Sequence, residues 1–301
     1  EKPDLIHTHG KGPGLYGRLL GWMLGIPVVH TFHGFQHKLL PAIQKWIYLF
    51  VENALTLLTR HHIFVGNGEK NKAKVLMFLN DSNSSVVNNG VDLDSIQALP
   101  LAEEALASLN LGTRESIKIF GTLSRVSPEK GLDTLLEGFV EATKMAPHIR
   151  LLIIGDCPDE HEKYIKMIKQ YIHENGLDEA VKILGVREDA LEILKSIDFY
   201  ISSSRSEGLP YNLLEALAAG KPVMATDIPG NNDIIRKSVE GVLVPVNSAR
   251  TLAHGILTLL ELGPEERQAM QQNGIARIQD QFSLNLMAEK TFSIYKKVLE
   301  G

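Results

Sequence analysis

One cysteine, Cys157, stands among 301 residues, so no internal disulfide framework can form. A reducing compartment fits that count. No apolar run reaches the roughly 20 residues a spanning helix needs. The longest apolar region, LLPAIQKWIYLFVENALTLL at 39–58, is broken by Lys45, Glu52 and Asn53. It reads as an amphipathic helix with a wide apolar face. Packing into a core is the simpler expectation for it, and lying on a membrane surface is the alternative. Basic charge is also short, with 31 Lys and Arg against 36 Asp and Glu, a net −5 that argues against general nucleic-acid binding. No repeat of fixed period and no low-complexity tract occurs. His7 and His9 alternate along one strand, but no acid or cysteine accompanies them, so no metal site is assigned.

The charge is unevenly spread. Residues 1–100 carry nine Lys and Arg and seven Asp and Glu, a balance of +2, and seven of the eleven His. Residues 101–301 carry 22 and 29, a balance of −7. A mildly basic front can meet anionic lipid or phosphate, although an ordinary solvated surface explains it as well. Short apolar runs recur at 4–9, 27–32, 61–66, 84–90, 117–123, 150–156, 180–185, 198–203, 222–226 and 241–246. Helical patterns lie between most of them, and others cover 251–261, 264–280 and 283–299. Continuous apolar strands separated by helices predict parallel sheets covered on both faces, a doubly wound α/β architecture. The seam is expected within 99–116. The division is thus 1–112, a partial N-terminal Rossmann-like domain; 113–282, a complete C-terminal one; and 283–301, a helix packing back toward the first.

Four segments carry candidate chemistry. GKGPGLYG at 10–17 holds Gly12, Gly14 and Gly17 in a G-x-G-x-x-G after a strand. A dinucleotide site would need an acid about 20 residues on, yet no acid occurs between Asp4 and Glu52. A tight strand-to-helix loop bordering a cleft is the better reading of Gly12 and Gly14. SRVSPEKG at 124–131 places Arg125 and Lys130 at a strand's carboxyl end, where two cations beside a helix start can clamp a diphosphate. Surface ion pairing explains them equally well. IIGDC at 153–157 reads as a turn, and Cys157 has no base beside it. SEGLPYNLLEALAAGKPV at 206–223 sets Glu207 in a loop and Glu215 on the helix that Gly220 stops. Eight helical residues rise about 12 Å. A glycosidase pair needs its carboxyls about 5–9.5 Å apart, so these acids suit different parts of one long ligand.

HTFHGF, SRVSPEKG, IIGD, SRSEGLPYNLLEALAAGKPVMATDIPG and GVLVPV together resemble family 4 of the retaining glycosyltransferases, in the same order and over nearly the whole chain. The resemblance implies the GT-B fold, two Rossmann-like domains whose parallel sheets face each other across a cleft. The opening EKPDLIHTHG enters in mid-strand, so the start of the N-terminal domain, with its Gly-rich loop, is expected to be missing. By resemblance, Arg125 and Lys130 grip the donor diphosphate with backbone amides of Gly208 and Leu209 nearby. Glu215 takes the ribose, Val186 and Arg187 meet the base, Glu207 faces the transferred sugar, and His33 is the catalytic histidine of the first domain. The implied reaction moves a hexosyl or N-acetylhexosaminyl group from a UDP- or GDP-linked donor to a glycan or polyprenyl-linked lipid acceptor in glycan biosynthesis. It needs no cofactor and no metal, and runs by front-face substitution. The expected setting is cytoplasmic, with peripheral membrane contact through the N-terminal domain and no nucleic-acid partner. A GT-B sugar-nucleotide epimerase and a non-catalytic nucleotide-sugar-binding subunit are the alternatives.

Overall fold

The computed structural model describes residues 3–34 and 41–300. Contacts divide the chain into two compact units, Glu1–Gly90 with Glu207–Leu209 and Gln281–Gly301, and Val91–Ser206 with Pro210–Asp280.

The first unit runs β1 (Ile6–His9), α1 (Lys11–Leu24), β2 (Val28–Phe32), α2 (Ala42–Thr56), β3 (His61–Phe64), α3 (Asn67–Leu76) and β4 (Ser84–Val86). Its strands form one parallel sheet in the order β1-β2-β3-β4. The strand pattern of the sequence thus produces a parallel α/β layer. Two of its expectations fail here. Gly10, at φ 65°, turns the chain so sharply that α1 begins at Lys11. Gly12 and Gly14 therefore lie in the first turns of a helix and not in a loop. A Cβ on Gly14 would come within 2.5 Å of the His30 ring, so this glycine lets α1 settle onto β2. The segment read as a core helix is also turned the other way. Residues 39 and 40 lie outside the described residues. In α2, Ile43, Trp46, Ile47 and Phe50 are exposed at 59–75% while Glu52 is buried. The inward Glu52 accepts a 2.9 Å salt bridge from the fully buried Arg18 of α1, and that pairing sets the helix's rotation.

The second unit opens with α4 (Leu93–Ala98) and α5 (Glu103–Ala107). It continues β5 (Lys118–Leu123), α6 (Leu132–Met145), β6 (Ile149–Ile154), α7 (Glu162–Glu174), β7 (Val181–Gly185), α8 (Ala190–Ser196) and β8 (Phe199–Ser202). It closes with α9 (Tyr211–Ala218), β9 (Val223–Thr226), α10 (Asn231–Ile234), β10 (Gly241–Val244), α11 (Ala249–Glu261) and α12 (Pro264–Gln281). Its parallel sheet has the order β7-β6-β5-β8-β9-β10. That is the doubly wound 3-2-1-4-5-6 arrangement, whose direction of winding reverses between β5 and β8. The core is apolar and mostly aliphatic, with Leu135, Leu136, Leu151, Ile153, Ile201 and Ile256 buried beside Phe139.

The boundary differs from the expected 112/113. Residues 91–112 group with the second unit because Lys195 Nζ donates to the Gln97 and Leu99 carbonyls and Ser196 Oγ accepts the Ala102 N–H. The last helix, α13 (Leu284–Glu300), groups with the first unit, where Ile294 and Val298 pack with Val29, Ile63 and Val87.

Candidate active site

Ligands of open α/β sheets bind outside the carboxyl ends of the strands where the winding reverses. In the second unit those ends belong to β5 and β8. The β5 loop carries Arg125 and Lys130, and the β8 loop leads to Glu207, Gly208 and Leu209. The loops are laced together. Arg205 N–H donates to the Glu129 carbonyl at 2.7 Å, and Ser203 Oγ to the Lys130 carbonyl at 2.8 Å. Gly131 sits at φ 65°, where a Cβ would lie 2.3 Å from the Ser203 carbonyl oxygen. Only glycine permits that approach.

Arg205 is the residue that the sequence reading missed. Its guanidinium donates to Asp133 Oδ2 at 2.8 Å, Thr134 Oγ1 at 2.9 Å and Asn247 Oδ1 at 2.7 Å. Burial would raise the Asp133 carboxyl, but hydrogen bonds from Arg205 and Tyr164 hold it below its ordinary value. An arginine one residue beyond a turn, with an acid at the start of α6, was the available signal. Arg125 is half exposed and lies 3.6 Å from Glu129 Oε1, which is the surface ion pair read from the sequence.

Pro210 precedes α9, as its fixed φ favours. Asn212 Nδ2 donates to the Leu123 carbonyl and so ties α9 to the end of β5. Glu215 lies on α9, and burial raises its carboxyl pKa above the ordinary value. The base residues separate. Val186 borders a cavity of about 320 Å³ with Gly155, Asp156, Cys157 and Lys169. Arg187 does not border it, and its guanidinium is held by Asp189 in two hydrogen bonds of 2.7 and 2.6 Å.

Residues 207–209 group by contact with the first unit. A Cβ on Gly208 would come within 2.3 Å of the His33 carbonyl oxygen, and Asn89 Nδ2 donates to the Leu209 carbonyl at 2.7 Å. His33 thus meets the first acid's loop directly. His33 Nε2 lies 2.9 Å from His9 Nδ1, with the rings stacked at 5.2 Å. His7 sits 4.2 Å from the His9 ring and is anchored by Thr31 Oγ1 at 2.7 Å and the Tyr295 hydroxyl at 2.5 Å. Burial lowers the pKa of all three, His7 to about 4. Neutral rings can share a single proton between His9 and His33, and the arrangement fixes the orientation of the His33 imidazole. The two histidines weighed and rejected as metal ligands are therefore supports for His33.

Comparison with known proteins supplies the rest. Residues 108–277 match the family described as "Glycosyl transferases group 1" and residues 1–95 match "Glycosyltransferase Family 4". An Escherichia coli UDP-Gal:alpha-D-GlcNAc-diphosphoundecaprenol alpha-1,3-galactosyltransferase is 27% identical over 98% of this chain and 76% of its own length. The alpha-monoglucosyldiacylglycerol synthase of Streptococcus pneumoniae is 29% identical over 87% of this chain and 60% of its own. Among solved structures, HepE of Anabaena in complex with UDP superposes with TM-score 0.87 at 21% identity, covering 98% of this chain and 79% of that one. It shares the two parallel-sheet α/β units of the GT-B fold.

Proposed function

Because this chain belongs to the group 1 glycosyl transferases, we propose that it transfers a hexosyl or N-acetylhexosaminyl group from a UDP-sugar to a lipid-linked or glycan acceptor with retention of anomeric configuration. The observation that carries this reading is the loading of the reversal point of the second sheet. Two cations follow β5, and the pair of carboxylates with a helix N-terminus between them follows β8. Arg125 and Lys130 neutralise the diphosphate as it leaves, the part that a metal plays in other transferases. The N-terminus of α9 favours the same anion. Glu215 accepts from the ribose hydroxyls. The raised pKa of its carboxyl means that binding weakens as acid neutralises it. Val186 and the cavity beside it receive the base.

Glu207, with the amides of Gly208 and Leu209, faces the sugar, and His33 orients it. The bond from the anomeric carbon to the β-phosphate oxygen breaks as the acceptor oxygen attacks from the same face. The leaving phosphate takes the acceptor's proton. UDP and a lipid-linked acceptor are favoured because the two curated relatives are named for UDP-galactose, diphosphoundecaprenol and a diacylglycerol glycolipid. The exposed apolar faces of α1 and α2, with Trp22, Met23, Trp46 and Phe50, support contact with a membrane surface. Among the described residues no helix is long and apolar enough to cross one. Nucleotide-sugar chemistry of this kind, with one cysteine, suits the cytoplasmic face.

The test is a screen of UDP- and GDP-sugars by thermal shift, followed by transfer to GlcNAc-diphosphoundecaprenol and diacylglycerol acceptors in EDTA, with NMR of the new linkage. An α-linked product from an α-linked UDP donor is expected. An inverted product, or the absence of any stabilisation by nucleotide sugars, overturns the proposal.

A further inference from the structure

A cavity of about 680 Å³ opens in the second unit at the amino-terminal ends of β5 and β8, the ends opposite the loops described above. Small-molecule sites commonly fall between about 300 and 1,000 Å³. Its walls are of two kinds. Leu106, Leu111, Ile117, Ile119 and Ile197 make an apolar side, and Leu101, more than half exposed, stands at its rim. Arg114, Lys195, Lys221 and Arg267 make a cationic side.

The carboxylates lining the cavity are Asp198 and the exposed Glu103. Asp198 is already shared. It accepts from Arg114 Nη1 at 3.0 Å, from Arg267 Nη2 at 3.3 Å and from the Ile119 N–H at 2.9 Å. Lys221 Nζ donates to the carbonyls of Lys195 at 2.6 Å and Ile197 at 3.0 Å, which fixes the ammonium at the cavity. Burial lowers its pKa to about 8. Asp198 opposes the shift, and repulsion from Arg267, Arg114 and Lys195 adds to it. The region thus holds more positive charge than its own carboxylates balance, and its remaining wall is apolar. A ligand that matches both halves has a compact anionic head and a short apolar tail.

We propose that this cavity is a second ligand site of the protein, taking a small amphipathic anion and separate from the nucleotide-sugar site. The anionic head lies among Arg114, Lys221 and Arg267, and the tail lies along Leu106, Leu111 and Ile117.

Octyl sulfate is a suitable probe because its charge is constant near neutral pH. Calorimetry on the full chain is run with saturating UDP, so that the diphosphate residues are occupied. One-site binding is expected, at least about tenfold tighter than that of inorganic sulfate or octanol, since each of these offers one half of the match. Arg114→Met leaves Asp198 paired with Arg267 and should weaken binding by about tenfold or more. Ala107→Trp, at an exposed rim position with no ion pair to disturb, should abolish it by filling the cavity. Affinity should fall as pH rises from 7 to 9, because Lys221 sheds its proton while the guanidiniums of Arg114 and Arg267 stay charged. Octanol binding as tightly as octyl sulfate, an unchanged isotherm in Ala107→Trp, or affinity constant to pH 9 overturns the inference.

Discussion

Strand β6 of the second unit reads IRLLII and is buried at every position but its arginine, whereas β2 and β3 of the first read VVHTF and HHIF and are buried throughout. The first unit therefore hides His30, His61, His62 and Thr31 where the second hides leucine and isoleucine. It also buries the Arg18–Glu52 pair, while leaving Trp46 and Phe50 on its surface. Aliphatic burial depends little on pH. A buried polar network depends on every member keeping its charge state and partner. The second unit's core is therefore expected to be indifferent to pH, and the first unit's to be conditional on it.

The largest effect expected is on acidification. His30 and His62 have pKa values lowered to about 2 and 3, by burial first and then by repulsion from Arg18. Above pH 6.5 they are neutral in both states and cost nothing. As pH falls below 6.5 the unfolded chain takes up protons that the folded one refuses, so stability is lost between there and the folded values. At pH 5 the loss is about 2 kcal/mol for each. Hydrogen exchange, corrected for its intrinsic pH dependence, should show the first sheet losing protection while β5, β6 and β8 keep theirs. Equal loss in both units would break the comparison.

Next in size, the residues grouped with the first unit should control turnover. Glu207→Gln and His33→Ala should each lower kcat by about 10²-fold with the Kd for UDP unchanged, because UDP lacks the sugar. His9→Ala should act in the same direction and more weakly, since it only orients His33. Steady-state kinetics paired with calorimetry separates the two effects, and a weakened UDP Kd in Glu207→Gln would place that acid with the second unit's binding groups.

A smaller change is expected from the second unit's cations. Arg125→Ala and Lys130→Ala should each cost about 1.5–3 kcal/mol in UDP affinity and much less for uridine. Equal losses for the two ligands would remove the diphosphate clamp. The smallest change is in stability on the exposed face of α2. Trp46→Gln with Phe50→Gln should shift unfolding by under about 0.5 kcal/mol each, yet reduce sedimentation with anionic vesicles. A large loss of stability would show that this face is packed and not free.

Much of the fold was legible because parallel strands buried on both faces announce themselves as apolar runs. The ten apolar runs of the sequence correspond to β1–β10. The errors arose where tertiary pairing overrides local pattern. Nothing in AIQKWIYLFVENALT tells a reader that Glu52 points inward, because its reason is Arg18, distant in sequence. The glycines of GKGPGLYG spell a loop until Gly10's positive φ starts the helix early. In the candidate site, Arg125 and Lys130 follow β5 and Glu207 and Glu215 follow β8, the two strands between which the winding reverses, and the motifs marked these residues. Arg205 and the contacts by which His7 and His9 support His33 are not visible in the sequence, since each acts through partners on other elements.

The first unit's core borrows Ile294 and Val298 from α13, beside Val29, Ile63 and Val87. A ribosome adding about 5–20 residues per second takes roughly 10–40 s to travel from Val87 to Val298. During that interval the first unit's sheet lacks its closing helix, while the second unit, made before α13, can already fold. Until α13 is made, Val29, Ile63 and Val87 stand without the apolar partners that Ile294 and Val298 later supply.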